Sequence, residues 1–529
     1  EWTLTEAKIA PDNYVVDGVL INGNFPGPQI NAVAGDSIEV LVHNNLHKNV
    51  TIHWHGITQK GSVKADGVPF ITQAPIAAGA SFTYKFNLYD QSGTYWYHAH
   101  TDMDAEHIYG ALIIKDKPEI WADVVKFNPK YQYDEELTIL LSERWHKTTE
   151  ELIYGLNNQP FKFSNQSQSI LTNGRTYQKW DNNLNGGTQA DLNRFNYGFS
   201  VTNVKPNKTY RIRLIAGNGY SLFTFNVDKH NLTIIEAEGT IVDPIDVDRM
   251  ELSSGQRYSV LLKTNQNVDN YYMYTQVSDE LRPEARKPVA KNGVAILHYD
   301  GASPVDPLIR ADKQVPGLQY EYSHWVESQL FTSQWYNKGL SSHYYPVPKK
   351  VNKEINLIVT LRKPGNLSRW FVNDVENTPR STVLIDDMEA GRYQPTQGIY
   401  EINEGDDVQL IVQHTMPTGK ACEVHPWHLH GHSFYVVGHG NGFYNPSVDG
   451  QKIDDYLATT KNLPVLRDTY NMFSGLKELK DKSLNADDLP CGWYAIRFKA
   501  NNPGSWYMHC HMSPHIIMGK VVVINYVPK

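Results

Sequence analysis

The chain holds 529 residues, 40% of them hydrophobic and 20% charged, with a formal net charge of −8 at pH 7. That length exceeds one compact core, so about three or four domains are expected. The acidic balance, with no basic block, excludes nucleic acid as a partner, and no run of about 18 apolar residues offers a membrane span.

In chain order, the sequence reads as β-structure almost throughout. Segments such as Ser37–Val42 and Thr209–Ile215 alternate or run β-branched, and Gly, Pro and Asn turns separate them at short intervals, the pattern of a sandwich or barrel. Helical periodicity is confined to Glu150–Tyr154 and Asn485–Leu489. An internal repeat runs through the chain. Residues 36–42 and 405–412 both follow a Gly-containing turn into an alternating strand, and Lys208–Leu214 has the same character midway. The run Gly93-Thr94-Tyr95-Trp96-Tyr97-His98 is matched near the end by Gly504-Ser505-Trp506-Tyr507-Met508-His509. Three duplicated units are therefore expected, at residues 1–125, 126–310 and 311–529, with breaks in Pro- and charge-rich stretches.

Four short segments concentrate the histidines: His53-Trp54-His55, His98-Ala99-His100, His425 to His432, and His509-Cys510-His511, the last followed by His515. Leaving out His515, ten of the 21 histidines fall in these segments with His-x-His spacing each time, which scattered surface or core histidines do not produce. Imidazole and thiolate together suit copper. Strand parity sorts them, because residues i and i+2 share a face. His53 with His55, His98 with His100, His428 with His430 and His509 with His511 give eight converging imidazoles, enough for a multinuclear cluster between two domains. His425 and Cys510 fall on the opposite face, and His515, after Pro514, can return to Cys510. Two histidines and one cysteine are the trigonal set of a blue-copper electron-transfer site.

This division answers a mismatch in electron number. A thiolate-bound copper accepts one electron with little rearrangement, whereas reducing dioxygen to water takes four. Cys510 is covalently continuous with His509 and His511, so an electron has a short through-bond path into the cluster.

At these residues the chain resembles the multicopper oxidases, which include laccases, ascorbate oxidases and ferroxidases. The likeness covers nearly the whole chain and extends to Asp66-Gly67-Val68-Pro69, Thr72-Gln73, Leu171-Thr172-Asn173-Gly174 and Gly255-Gln256-Arg257-Tyr258-Ser259-Val260. The resemblance implies an all-β fold of three cupredoxin-like Greek-key sandwiches. It implies four copper ions, with type 1 held by His425, Cys510 and His515, type 2 by His53 and His428, and the type 3 pair by His55, His98, His100, His430, His509 and His511. Asp66 matches an acidic residue near the cluster that can supply protons; as a residue before Gly67 it also reads as a plain turn.

Two positions depart from the family pattern. The acid two residues after the last histidine of His-Cys-His is Ser513, so proton delivery there needs water, Ser513 or another route. The axial position ten residues after the cysteine, elsewhere Met, Leu or Phe, is Lys520. A neutral amine there could coordinate copper; the reading preferred from sequence is that its stem faces the metal while the ammonium snorkels outward.

Donor chemistry is read from the surroundings of the type 1 histidines. The ferroxidase acid four residues before the first is Ala421, and Asn157-Asn158-Gln159-Pro160 lacks acids, although Asp279 and Glu280 could lie near. Trp370 and Phe163 align with the two tryptophans that stack on substrate in ascorbate oxidases; ordinary core aromatics are the alternative. The expected donor, meeting Phe163, Trp370 and His515, is a small organic reductant, a phenol or enediol, with dioxygen as acceptor. Fe(II) oxidation is the alternative, and a non-catalytic copper store a lesser one. A first residue Glu1 and five sequons, at Asn49, Asn165, Asn207, Asn231 and Asn366, point to a processed, secreted glycoprotein. A monomer is expected. A Cys422–Cys491 bridge suits such a chain, leaving Cys510 for metal, but the spacing alone gives no geometry.

Overall fold

The computed structural model describes the chain except residues 165–166, 179, 181–182, 195–197, 278–291, 306–329, 335–344, 418–421, 473–487 and 528–529. Among the described residues the strands pair into six sheets, two for each third of the chain. Apolar residues from both sheets of a pair meet in one core. Leu4 and Val40 meet Ile52, Tyr97 and Leu112 in the first, Ile212 and Val260 meet Phe225 and Met273 in the second, and Leu357 and Val412 meet Met508 and Ile524 in the third. The alternation read in the sequence is what makes this possible: Ser37–Asn44 buries Ile38, Val40 and Val42 and turns Ser37 and Glu39 outward.

The internal repeat is a repeat of pairing. Ser37–Asn44 runs parallel to Trp2–Ile9 and antiparallel to Ser81–Asn87. Thr209–Ala216 stands likewise between Glu135–Arg144 and Arg257–Lys263, and Asp407–Met416 between Lys353–Arg362 and Leu489–Lys499. The second repeated strand is also conserved in place. Gly93–Ala99 lies between Ile52–His55 and Tyr109–Lys115, and Ser505–Cys510 between His425–Leu429 and Val521–Tyr526. Its middle equivalent, Asn270–Val277, lies between Phe223–Val227 and Asn292–Tyr299, neither of which carries a His-x-His pair.

Glu150–Tyr154 lies within the helix Thr149–Asn157, started by a capping box in which Thr148 and Glu151 satisfy each other's backbone N–H. The helix expected at Asn485–Leu489 does not reach its last residue: Leu489 opens the strand Leu489–Lys499, where it is buried opposite Met416, and residues 485–487 lie outside the described residues. The break expected at 125/126 falls inside the helix Pro118–Phe127, whose Val124 packs on Tyr131, Ile235, Ile241 and Leu261; the break at 310/311 lies outside the described residues. Phe331–Thr332 bridges Thr240–Val247 to Leu463–Pro464 and so ties the middle sheet to the last third. No helix among the described residues is long and apolar enough to cross a membrane.

Candidate metal centre

Two antiparallel strand pairs carrying the His-x-His motifs face each other across the first and last thirds. In one, His53 stands directly opposite His98; in the other, His428 stands opposite His509. All eight histidines come together: ring centroids lie 5.4 Å apart for His53 and His98, 3.7 Å for His55 and His428, 5.1 Å for His100 and His509, and 5.2 Å for His98 and His511. Three groups, His53–His55–His98, His53–His428–His430 and His100–His430–His509, each bring their nearest ring nitrogens within 4.8 Å of one another.

Backbone carbonyls select the tautomers. Nδ1 of His53, His98, His428 and His509 faces the carbonyl oxygen of Asp66, Ala99, Asp468 and Cys510 at 2.7, 2.9, 3.0 and 3.0 Å. A carbonyl only accepts, so Nδ1 carries the hydrogen and Nε2 keeps its lone pair. The buried Nε2 atoms of His53, His98 and His428 have no hydrogen-bond partner, and those of His430 and His509 face each other at 3.0 Å. Burial and then neighbouring imidazoles hold His98, His100, His430, His509 and His511 well below the usual histidine range, so their rings are neutral. Neutral lone pairs converging in a buried space fit cations between them. The residues present therefore fit a multinuclear copper cluster.

Carboxylates orient this set from behind. Asp66, fully buried, sets Oδ2 2.9 Å from His430 Nδ1 and Oδ1 3.3 Å from His53 Nδ1. Asp468 sets Oδ1 3.2 Å from His55 Nε2, which leaves the Nδ1 of His55 facing His511 Nε2 at 3.1 Å. The middle third supplies no imidazole to the cluster but closes it. Arg257 donates two bonds to Asp468, at 2.7 and 2.6 Å, and Ser254 Oγ lies 2.8 Å from His511 Nδ1. Gly255 lets this segment approach: its φ is +86°, and a Cβ there would stand 2.9 Å from His55 and 3.0 Å from His511.

On the other face of Ser505–Cys510, Cys510 is fully buried, with Sγ 3.6 Å from His515 Nδ1 and 3.9 Å from His425 Nδ1. Burial pushes the thiol up to about 11, so a bound cation must ionise it. Thiolate with two imidazoles suits copper. His515 sits in the short helix Ser513–Ile517 rather than in a free turn.

Lys520 differs from the expectation. Its side chain does not snorkel outward: the residue is fully buried, and Nζ stands 3.6 Å above the Trp370 ring with no hydrogen-bond partner. Strand Val521–Tyr526 begins at the next residue, inside the core, so the stem has no path to water. Burial lowers the amine to about 7, against the pull of Cys510 and Glu423. Trp370 lies 5.3 Å from both His425 and His515 but is 1% exposed, so with Lys520 on one face it shows no open ring to a ligand. Phe163 is half-buried, 5.9 Å from His515 and 5.7 Å from Tyr220.

Three family profiles, each described as multicopper oxidase, match residues 3–119, 135–302, and 364–477 with 488–529. The chain belongs to the multicopper oxidases. This multicopper oxidase is 34% identical over 566 residues to an L-ascorbate oxidase of Cucumis sativus, covering 99% of the chain and 88% of that protein. It is 32% identical over 533 residues to Laccase-1 of Fomitopsis schrenkii, covering 98% and 85%. Among solved structures it is similar to the laccase from Botrytis aclada, with a TM-score of 0.74, 26% identity, and 99% and 86% of the two chains covered. It shares its fold with Fet3p, a multicopper oxidase that functions in iron import, at a TM-score of 0.74 and 23% identity over 99% and 89%. The three sandwiches are cupredoxin-like, the chain is an oxidoreductase with dioxygen as acceptor, and its cofactor is copper, four ions of types 1, 2 and 3.

Sequence reasoning missed Asp468, Arg257 and Ser254. Arg257 lies in a quoted family motif, but nothing in that motif names its partner across the chain. Ala421, Asp279 and Glu280, the positions weighed for Fe(II), lie outside the described residues.

Proposed function

We propose that this multicopper oxidase removes single electrons from a small organic reductant, an enediol or phenol, at the His425–Cys510–His515 site and delivers four to dioxygen at the eight-histidine site, forming water. The observation that carries this reading is the two-faced strand Ser505–Cys510: Cys510 Sγ turns to His425 and His515, while His509 turns to His100 and His430. The type 1 ion is assigned to His425, Cys510 and His515, type 2 to His53 and His428, and the type 3 pair to His55, His98, His100, His430, His509 and His511. Bound copper supplies the one-electron redox steps.

The protein's own residues do the rest. Besides the covalent link, the Cys510 carbonyl accepts a hydrogen bond from His509 Nδ1 at 3.0 Å, a second short path between the two sites. Asp66 orients His53 and His430 and keeps a carboxylate where protons are consumed. Phe163, half-exposed against His515, is the aromatic surface a planar donor would meet. Arg369 donates to Asn157 Oδ1 and the Leu156 carbonyl at 3.0 Å and pairs with Glu376 at 3.5 Å, so the Asn157 segment carries no carboxylate of its own and its neighbouring charge is balanced.

The proposal extends to a secreted, glycosylated monomer of three units near 1–125, 126–310 and 311–529. It is supported by the exposure of Asn49, Asn207, Asn231 and Asn366 and by the Cys422–Cys491 disulfide. The deciding experiment is oxygen uptake with ascorbate, a simple phenol, an aromatic amine and Fe(II) as donors. Organic donors are expected to lead; a wide lead for Fe(II) overturns the donor assignment, and no uptake with any donor leaves a copper store.

A further inference from the structure

Ser513 stands where relatives carry an acid, yet a carboxylate is present beside it. Ser513 Oγ donates to Glu106 Oε1 at 3.0 Å. Glu106 comes from the first third of the chain, on the turn Asp104–Glu106 shortly after His100, and is 4% exposed. A third segment is shaped around this pair. A Cβ on Gly219 would stand 1.6 Å from Glu106 Oε1 and 2.5 Å from Ser513 Oγ, and the Gly219 carbonyl accepts from Ser513 N at 2.8 Å. Any side chain at position 219 would expel the carboxylate. Ser513 and His511 in turn line a cavity of about 1260 Å³ that takes in His98, His100 and Asp102 and extends to the exposed Thr396 and Gln397.

We propose that Glu106, acting through Ser513, supplies protons to the oxygen site, the carboxylate having been transferred from the segment after His-Cys-His to the turn after His100. The proposal rests on the oxidase reading above. Each dioxygen takes four electrons from the organic donor and four protons. In one proton step, the Ser513 hydroxyl turns from Glu106 toward water in the cavity beside His511, and protonated Glu106 passes its proton to Ser513 Oγ as the Ser513 hydroxyl proton moves to that water. The carboxylate left behind takes a proton from solvent hydronium, which restores the starting state. Burial first, then the charge of Glu143, holds Glu106 well above the usual carboxylate range, which favours its protonated form. The hydrogen bond from Ser513 and then Arg144 oppose this; the Arg144 guanidinium is engaged with His107 Nδ1 at 3.0 Å and the Asp17 carbonyl. Glu106 is thus a positioning and proton-relay residue rather than one that touches dioxygen.

The test compares Glu106→Gln, Ser513→Ala and the double variant Glu106→Gln/Ser513→Asp, each loaded with copper. Turnover with a fixed donor is followed against pH, alongside copper content, blue absorption and melting temperature. Glu106→Gln is expected to lower kcat by about 100-fold at unchanged copper content and to abolish the fall in kcat on the alkaline side. The double variant, which returns an acid to position 513, is expected to regain most of the rate. In the copper-free protein, an infrared difference spectrum of wild type against Glu106→Gln should contain the carbonyl stretch of a protonated carboxylic acid. Unchanged kcat and pH profile in Glu106→Gln overturn the proposal. So does a rate loss that follows lost copper or lost stability and is not rescued by the double variant, and so does a missing carbonyl stretch. Failure of the oxidase reading looks different, since wild type would then consume no oxygen.

Discussion

On one side of the strand Ser505–Cys510, Cys510 meets His425 and His515 inside an apolar core with Trp370, Trp427, Met512 and Met518. On the other, His509 and His511 meet six further imidazoles backed by Asp66 and Asp468. The first site is made within the last third of the chain; the second needs histidines from both ends and a clasp from the middle. The difference follows from chemistry. The electron alone enters the first site, a phenol or enediol donor leaving its proton to solvent, so a site within one core suffices. Reducing dioxygen consumes protons; at the second site the Asp66 and Asp468 carboxylates face the histidines, and a cavity of about 1260 Å³ reaches His98, His100 and His511.

The comparison can be broken at either side. Cys510→Ser should have the largest effect: blue absorption disappears and turnover falls to background, while the oxygen-side histidines still bind copper, which metal analysis would show as a partial loss. Asp66→Asn should leave the blue absorption intact and lower kcat by about 100-fold, read by oxygen uptake. Arg257→Met removes the partner of buried Asp468 and should cost about 3–5 kcal/mol in denaturant melts, with copper lost from the oxygen side before the donor side.

Acid should loosen the joint. Burial raises the Glu236 carboxyl, but Arg211 and Arg213 outweigh this and hold it at about 2 against an ordinary 4.5. Glu236 accepts from Thr94 N at 2.8 Å, so it ties the middle third to the first. With the folded value depressed, its stabilisation is complete above about pH 4.5 and is lost as pH falls toward 2, on the order of 3 kcal/mol. Melts of Glu236→Gln should show a shallower pH dependence over that window. Lys520→Leu should change activity least: it should retain the blue absorption and raise the melting temperature. Because the folded amine sits at about 7 and the unfolded one near 10.5, the advantage of leucine should be larger at pH 7 than at pH 10. A lost or displaced blue absorption would instead make Lys520 a copper ligand.

What the sequence revealed was governed by short periods. Parity alone separated Cys510 from His509 and His511, because a strand forces neighbours to opposite faces. The repeated pairing was also legible, since each unit reuses the same alternating strand. Contacts between distant segments were not. Nothing local links Arg257 to Asp468 or Glu106 to Ser513, as each pair is brought together only by the packing of separate sandwiches. Lys520 was misjudged for a related reason: snorkelling is a rule for exposed elements, and the strand after Lys520 is buried on both faces.

The Arg257–Asp468 clasp also bears on the timing of biosynthesis. Asp468 and the last copper-facing histidines are synthesised long after Arg257, so the oxygen site cannot close on a nascent chain still missing its final sandwich. Metal delivered early would find only His53, His55, His98 and His100, half of a cage. Filling of the whole cage should therefore follow folding of the final sandwich.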